Sequence, residues 1–218
     1  MTTVDRPGEL LDTTELRWFG DGPLPRDVLD WFVHHSQRGT VEDRTDLYRL
    51  DGRADVGVKR RSGTTLERKV RLIVEEPLAL GADMAGRTEV WRKWSPAVEP
   101  VVDDGASPWV SVRKQVVKRL FAVDGDEREF SLAMRAAMDA GCDVELAEVS
   151  VDGRRAWTLA FASFGPAAMR REAIVTCWRA LETDGPAPDH LAARCSTLSG
   201  YPQWLQTAAG LPRRSSTI

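Results

Sequence analysis

At 218 residues, with 42% hydrophobic and 29% charged residues, the chain is long enough to bury a proper core as one domain. Its composition is that of a globular protein, which excludes a disordered or fibrous class. The formal net charge of −3 excludes bulk electrostatic attraction to nucleic acid or membranes, so any basic site must be local and balanced by acids elsewhere.

Residues 1–13 read as a flexible tail. They carry Asp5, Arg6 and Glu9 without an apolar segment, so a secretory signal is not expected. No apolar run is long enough to span a bilayer. Residues 14–19 read as a short strand, stopped at Gly20-Asp21-Gly22-Pro23. A helix is predicted over 25–36, with Val28, Leu29, Trp31, Phe32 and His35 on its apolar side. A strand over 45–50 ends at Asp51-Gly52. Strands at 55–62 and 65–75 form a hairpin across Ser62-Gly63-Thr64. After a loop at 81–85, strands are predicted at 86–95 and 108–122. Between them lies a turn-rich stretch with Asp103-Asp104-Gly105, and Asp124-Gly125-Asp126 turns the chain again. Segments 140–151 and 156–164 pair across Asp152-Gly153. A helix over 166–182 has Pro166 in its first turn. Another over 189–199 is expected to be capped by Asp189, and a last short one starts at Tyr201. Many antiparallel strands with flanking helices argue for an α+β, barrel-like domain.

Four of these strands carry charge at every second position. Val56-Gly57-Val58-Lys59-Arg60-Arg61, Leu66-Glu67-Arg68-Lys69-Val70-Arg71, Arg87-Thr88-Glu89-Val90-Trp91-Arg92-Lys93 and Val110-Ser111-Val112-Arg113-Lys114-Gln115 are all basic. Successive side chains on a strand face opposite ways, so Glu67, Lys69 and Arg71 share one face. Several basic strands together suggest a sheet face that surrounds an anion. A solvated face, or charge that blocks edge-to-edge pairing, is the plainer alternative.

Cys142, Cys177 and Cys195 are far apart, with no CxxC or Cys/His metal spacing, and read as buried free thiols in a reducing, cytoplasmic setting. His34 and His35 are adjacent on a helix and point apart, which disfavours a zinc pair. There is no GxSxG, P-loop or GxGxxG pattern. Trp91, Trp94, Trp109 and Trp157 are read as packing residues. A base-stacking groove for single-stranded nucleic acid is the weaker reading, given the net acidity.

The order of these segments carries a resemblance. Glu15-Leu16-Arg17, Asp46-Leu47-Tyr48, Val56-Gly57-Val58-Lys59, the basic strand at 66–71, then 112–119, Asp143-Val144-Glu145-Leu146 and Trp157-Thr158-Leu159-Ala160-Phe161 follow one another as in the CYTH, or triphosphate tunnel metalloenzyme, superfamily. The chain especially resembles a CYTH-like branch with an arginine-rich early hairpin, an E-x-W-x-K-W strand and a Y-P-x-W-L ending. Here these are Glu89-Val90-Trp91-Arg92-Lys93-Trp94 and Tyr201-Pro202-Gln203-Trp204-Leu205. The resemblance spans roughly 14–205. It implies one CYTH-like domain over 1–218: an eight-stranded antiparallel β-barrel, or tunnel, with flanking helices, those of 166–218 packed on the barrel. Basic side chains would point inward and grip a triphosphate or similar anion. Carboxylates would hold Mg or Mn, and water would be directed at phosphorus.

This chain departs from the superfamily's E-x-E-x-K hallmark. Glu15 matches the first acid, but Arg17 stands in place of the second and Phe19 in place of the lysine. Gly57 and Lys59 fill an R-x-R pair, and Arg113-Lys114-Gln115 a K-x-R pair. Glu145 matches a family acid, with Asp143 beside it, and Ala160 or Ala162 falls where another acid is common. Two unit charges about 4 Å apart repel by about 4 kcal/mol even at an effective dielectric near 20, so Arg17 would compete with a divalent cation. The expected anion grip is Arg17, Lys59, Arg61, Lys69, Arg71, Lys93, Arg113 and Arg119. Glu15 and Glu145 are the remaining candidate metal ligands, or else salt-bridge partners of arginines. Three functions stay open: a tunnel that binds a phosphorylated small molecule or polyphosphate without efficient hydrolysis, an active Mg- or Mn-dependent triphosphatase or related phosphohydrolase, and a non-catalytic scaffold. No membrane partner is expected, and the sequence indicates no particular protein partner.

Overall fold

The computed structural model describes residues 10–34, 40–62, 65–81, 83–95, 108–123 and 129–210. Ten strands follow in chain order: β1 (Leu10–Asp21), β2 (Thr40–Arg49), β3 (Val56–Arg61), β4 (Thr65–Leu80), β5 (Met84–Trp94), β6 (Trp109–Ala122), the two-residue β7 (Glu129–Phe130), β8 (Gly141–Val151), β9 (Arg154–Phe164) and the two-residue β10 (Thr197–Leu198). The helices are α1 (Arg26–Val33), α2 (Ala167–Asp184), α3 (Leu191–Arg194) and α4 (Tyr201–Ala208), with a 3-10 turn over Leu132–Ala137.

The eight long strands pair antiparallel in the order β1-β5-β4-β3-β2-β6-β8-β9, and β9 returns to β1 from Thr14↔Ser163 to Asp21↔Ala156. The result is a closed, eight-stranded antiparallel barrel with flanking helices, as expected. Closure removes both sheet edges, so every wall strand has an inward and an outward row of side chains. The β8–β9 hairpin turns at Asp152 and Gly153, both at positive φ (48° and 77°). That geometry matches the twist of the flanking strands, and Asp-Gly supplies it at little steric cost.

Two cores follow from the two faces. Outside the wall, Leu16, Trp18, Val144, Leu146, Trp157, Leu159 and Phe161 pack against Trp31 and Phe32 of α1 and Ile174, Cys177, Trp178 and Leu181 of α2. Among the described residues, β2 and β3 contribute nothing to this outer core. It requires close approach: a Cβ on Gly20 would lie 2.2 Å from the Trp157 ring. Inside the barrel, Tyr48, Val112, Val116, Ala147 and Val149 pack with Leu205, Tyr201 and Trp204, so α4 fills one end of the lumen. Near the 3-10 turn, Leu132 packs with Leu120 and Phe164, with Leu11 against them. This double coverage explains why β9 is buried along nearly its whole length.

Several boundaries move. Of the tail read over 1–13, residues 10–13 belong to β1, and 1–9 lie outside the described residues. β2 starts at Thr40, five residues before the predicted strand. The helix expected over 189–199 is only four residues long. His190, at φ 63°, precedes it, and Asp189 supplies no cap. Thr197 and Leu198 instead pair with Phe19 and Trp18 of β1, so strand pairing takes the backbone groups that a longer helix would have used. His35, Gly63, Thr64 and the turns at 103–105 and 124–126 lie outside the described residues. No helix among the described residues is long and apolar enough to cross a membrane.

Candidate functional site: the barrel lumen

The inward rows enclose a cavity of about 220 Å³. Its basic lining is Arg17 from β1, Arg44 from β2, Lys59 and Arg61 from β3, Lys69 from β4, Lys93 from β5, Lys114 and Lys118 from β6, and Arg135 from the 3-10 turn. Its carboxylates are Glu15, Glu67, Asp143 and Glu145. Strand pairing sets their order around the wall. Arg17 and Glu145 flank Ala160 from either side, and Glu15 and Asp143 flank Ala162 in the same way.

Each carboxylate is engaged by a fixed cation. Glu67 faces three: Lys59 Nζ at 2.9 Å, Arg61 Nε at 2.8 Å and Lys93 Nζ at 3.5 Å. Burial alone would raise the Glu67 carboxyl, but these cations hold it well below the usual range. Lys69 donates to both oxygens of Glu15, and Thr13 Oγ1 donates to one of them at 2.8 Å. Arg17 donates to Glu145 Oε1 at 3.3 Å and to Thr158 Oγ1 at 3.2 Å. Burial works against ionising Glu145, yet Arg17, Lys114, Lys118 and Arg44 together keep it well below its ordinary value. Arg135 Nε meets Asp143 Oδ2 at 3.0 Å, but here burial wins and the Asp143 carboxyl is raised.

Further pairs occupy the β2 and β6 part of the same wall. Arg44 pairs with Glu42 and, at 3.2 Å, with Asp46, and Lys118 reaches Glu42 at 3.3 Å. Lys114 lies 3.8 Å from Asp46 and donates to the Tyr48 hydroxyl at 2.7 Å. Burial pushes the Lys114 ammonium well below the usual lysine range despite Glu145 and Asp46. Lys59 falls to about 8 for the same first reason, with Arg61 and Lys93 adding to it against Glu67. At the α4 end, Tyr201 stacks on Tyr48 with ring centres 5.0 Å apart, and Trp204 stacks on Phe19 at 4.5 Å. The Tyr201 hydroxyl is buried with no hydrogen-bond partner among the described residues. Gly57 lies against α4, since a Cβ there would stand 3.1 Å from Pro202 Cγ. A side chain at this position would press on α4.

The structure gathers Arg17, Lys59, Arg61, Lys69 and Lys93 with Glu15 and Glu145 on the lumen wall. Three expected grip residues are elsewhere. Arg113 points outward and pairs with Asp43 at 2.8 Å on the surface. Arg119 is 1% exposed, but on the outer side of the wall, where it binds the Phe32 carbonyl, Glu129 and Asp184 beneath the helices. The physical reason is register: β6 turns its even-numbered residues inward, so Lys114 and Lys118 face the lumen instead. Arg71 shares the face of Lys69 but pairs with Glu89 and lines an adjoining cavity of about 270 Å³ with Arg87 and Ser199. Glu15 and Arg17 border both cavities.

Sequence reasoning missed Arg44, Lys118 and Arg135, and misplaced Lys114. On β6, Val112, Lys114, Val116, Lys118 and Leu120 form one continuous inward row. Trp91 and Trp157 are buried as packing residues, and Trp91 also lies under Lys69 and Arg71, 4.9 and 5.8 Å from its ring centre. Cys142 and Cys177 are buried free thiols and Cys195 is a free, half-buried one.

The lumen carboxylates are held in ion pairs rather than left open to a hard divalent cation. Mg is ordinarily held by one or two free carboxylates, with waters and ligand phosphates completing its shell. Among the described residues no three His, Cys, Asp or Glu side chains converge on one point. Both expected ligands, Glu15 and Glu145, are already held by Lys69 and Arg17.

No known family's sequence profile matches this chain. No curated protein matches it either. Among solved structures, the S. pombe Pct1 RNA triphosphatase is similar at a TM-score of 0.41 and 12% identity, covering 95% of this chain and 86% of that one. The same enzyme in complex with the Spt5 CTD gives 0.37 and 10%, covering 96% and 87%. Likeness at this distance assigns no function.

Proposed function

We propose that this chain is a tunnel protein that binds a phosphorylated small molecule or polyphosphate in its lumen and holds it without hydrolysing it. One observation carries the reading: nine basic side chains and four carboxylates line a cavity of about 220 Å³. Even with Glu42 and Asp46, on the same inward row of β2 as Arg44, counted among the acids, cations exceed acids. Phosphate oxygens accept charge-assisted hydrogen bonds from Lys and Arg and offset that excess. The volume is below the roughly 300–1,000 Å³ of pockets for drug-sized ligands, which favours a phosphate group or short chain over a bulky organic body. Hydrolysis is left out because each lumen carboxylate is engaged by a fixed cation.

The test is calorimetric titration of tripolyphosphate, pyrophosphate and ATP into the full chain. Saturable, salt-sensitive binding is expected, and its loss in Lys59→Glu and Lys69→Glu. Phosphate release with magnesium, manganese or chelator should stay at background. Absence of binding by all three ligands would sink the reading. Metal-dependent release abolished by Glu145→Gln would replace it with a phosphohydrolase.

A further inference from the structure

We infer that the lumen takes its polyanion as the metal-free species, with Arg17 supplying the fixed positive charge between Glu15 and Glu145. This rests on the anion-binding reading above and adds the charge state of the ligand. Arg17 is hydrogen-bonded to Glu145 Oε1 and to Thr158, and its charge acts on Glu15 as well as Glu145. Lys69 closes both oxygens of Glu15. A divalent cation arriving with the ligand would have to break these pairs and would face a buried guanidinium at the point where it needs oxygen donors. A bare polyanion needs no such rearrangement, since Lys and Arg donors already point into the space it would fill.

Magnesium then acts against binding, because it complexes the free ligand and lowers the charge the wall can meet. In calorimetry, tripolyphosphate should bind the wild-type chain in chelator, and about tenfold more weakly in saturating magnesium, as expected where charge complementarity sets affinity. Mn²⁺ alone should give no heat of binding with the wild type. Arg17→Glu would place three carboxylates together, and this variant should gain Mn²⁺ binding while Arg17→Gln does not. Tripolyphosphate binding that needs magnesium or manganese, or stoichiometric Mn²⁺ uptake by the wild type, overturns the inference and leaves the anion-binding reading standing. No tripolyphosphate binding under either condition overturns both. A folded Arg17→Glu chain that takes up no Mn²⁺ overturns the role given to Arg17. If that variant does not fold, the wild-type arms decide alone.

Discussion

The Lys114 ammonium lies 3.9 Å from the centre of the Tyr201 ring, so a charge on one wall strand rests on the face of a side chain carried by α4. Cation–π attraction is strongest for a cation that has lost its water, as this one has. Tyr201 also stacks on Tyr48, and α4 thereby stays seated in the lumen. Tyr201→Ala should cost about 3–5 kcal/mol, the range for truncating a large packed aromatic. Urea denaturation would read this, and an unchanged midpoint would show that α4 is not held by this residue.

Lys59 gives the lumen a pH response. Its folded value is about 8 against an ordinary 10.5, chiefly through burial. Below pH 8 it is charged in both the folded and unfolded states. Between about 8 and 10.5 the unfolded chain binds more protons, so this group makes stability rise with pH across that window. Ligand binding runs the other way, because a polyanion favours the charged amine. Affinity should fall above pH 8, and binding near pH 8–9 should take up protons. Calorimetry in buffers of different ionisation enthalpy measures that uptake, and Lys59→Arg should remove the Lys59 part of it.

Arg113 and Lys118 sit on the same strand and opposite faces. Arg113→Glu breaks an exposed, solvent-screened pair with Asp43 and should leave tripolyphosphate affinity unchanged. Lys118→Glu reverses a charge inside the lumen and should weaken binding more than tenfold, since like charges oppose the ligand directly. Equal effects from the two variants would contradict the register of β6.

Glu67 is the counter-ion of three cations. Glu67→Gln leaves them facing one another, and removing one partner of a buried pair costs about 3–5 kcal/mol. The variant should therefore melt earlier than the wild type, while binding polyanion more tightly. Saturating tripolyphosphate should recover much of the lost melting temperature. A variant as stable as the wild type would mean that solvent already shields this cluster.

The barrel was legible because closure leaves a simple record: eight strand-like segments, turn residues between them, and charge in a period of two. The β8–β9 hairpin could be read from Asp152-Gly153 alone. The lumen was legible only where the two faces of a strand differ in character. On β3 and β4 they do, and Lys59, Arg61 and Lys69 line the lumen. On β6 they do not. Arg119 and Phe121 face the helices while Val112, Lys114, Val116 and Lys118 face inward, so both rows mix apolar and basic residues and the phase is ambiguous. Arg135 was out of reach because a 3-10 turn, which no strand periodicity reports, carries it to Asp143.

The outer helices support only part of the wall. β1, β8 and β9, which bear Glu15, Arg17, Asp143 and Glu145, are clamped between the lumen and α1 and α2. β2 and β3, which bear Arg44, Lys59 and Arg61, have no such backing among the described residues. The lumen thus resembles a vice with one jaw braced by the helices and one jaw without that brace. Three of the four lumen carboxylates, Glu15, Asp143 and Glu145, are mounted on the anchored side, while Arg44, Lys59 and Arg61 stand on the strands that the outer core leaves unbacked.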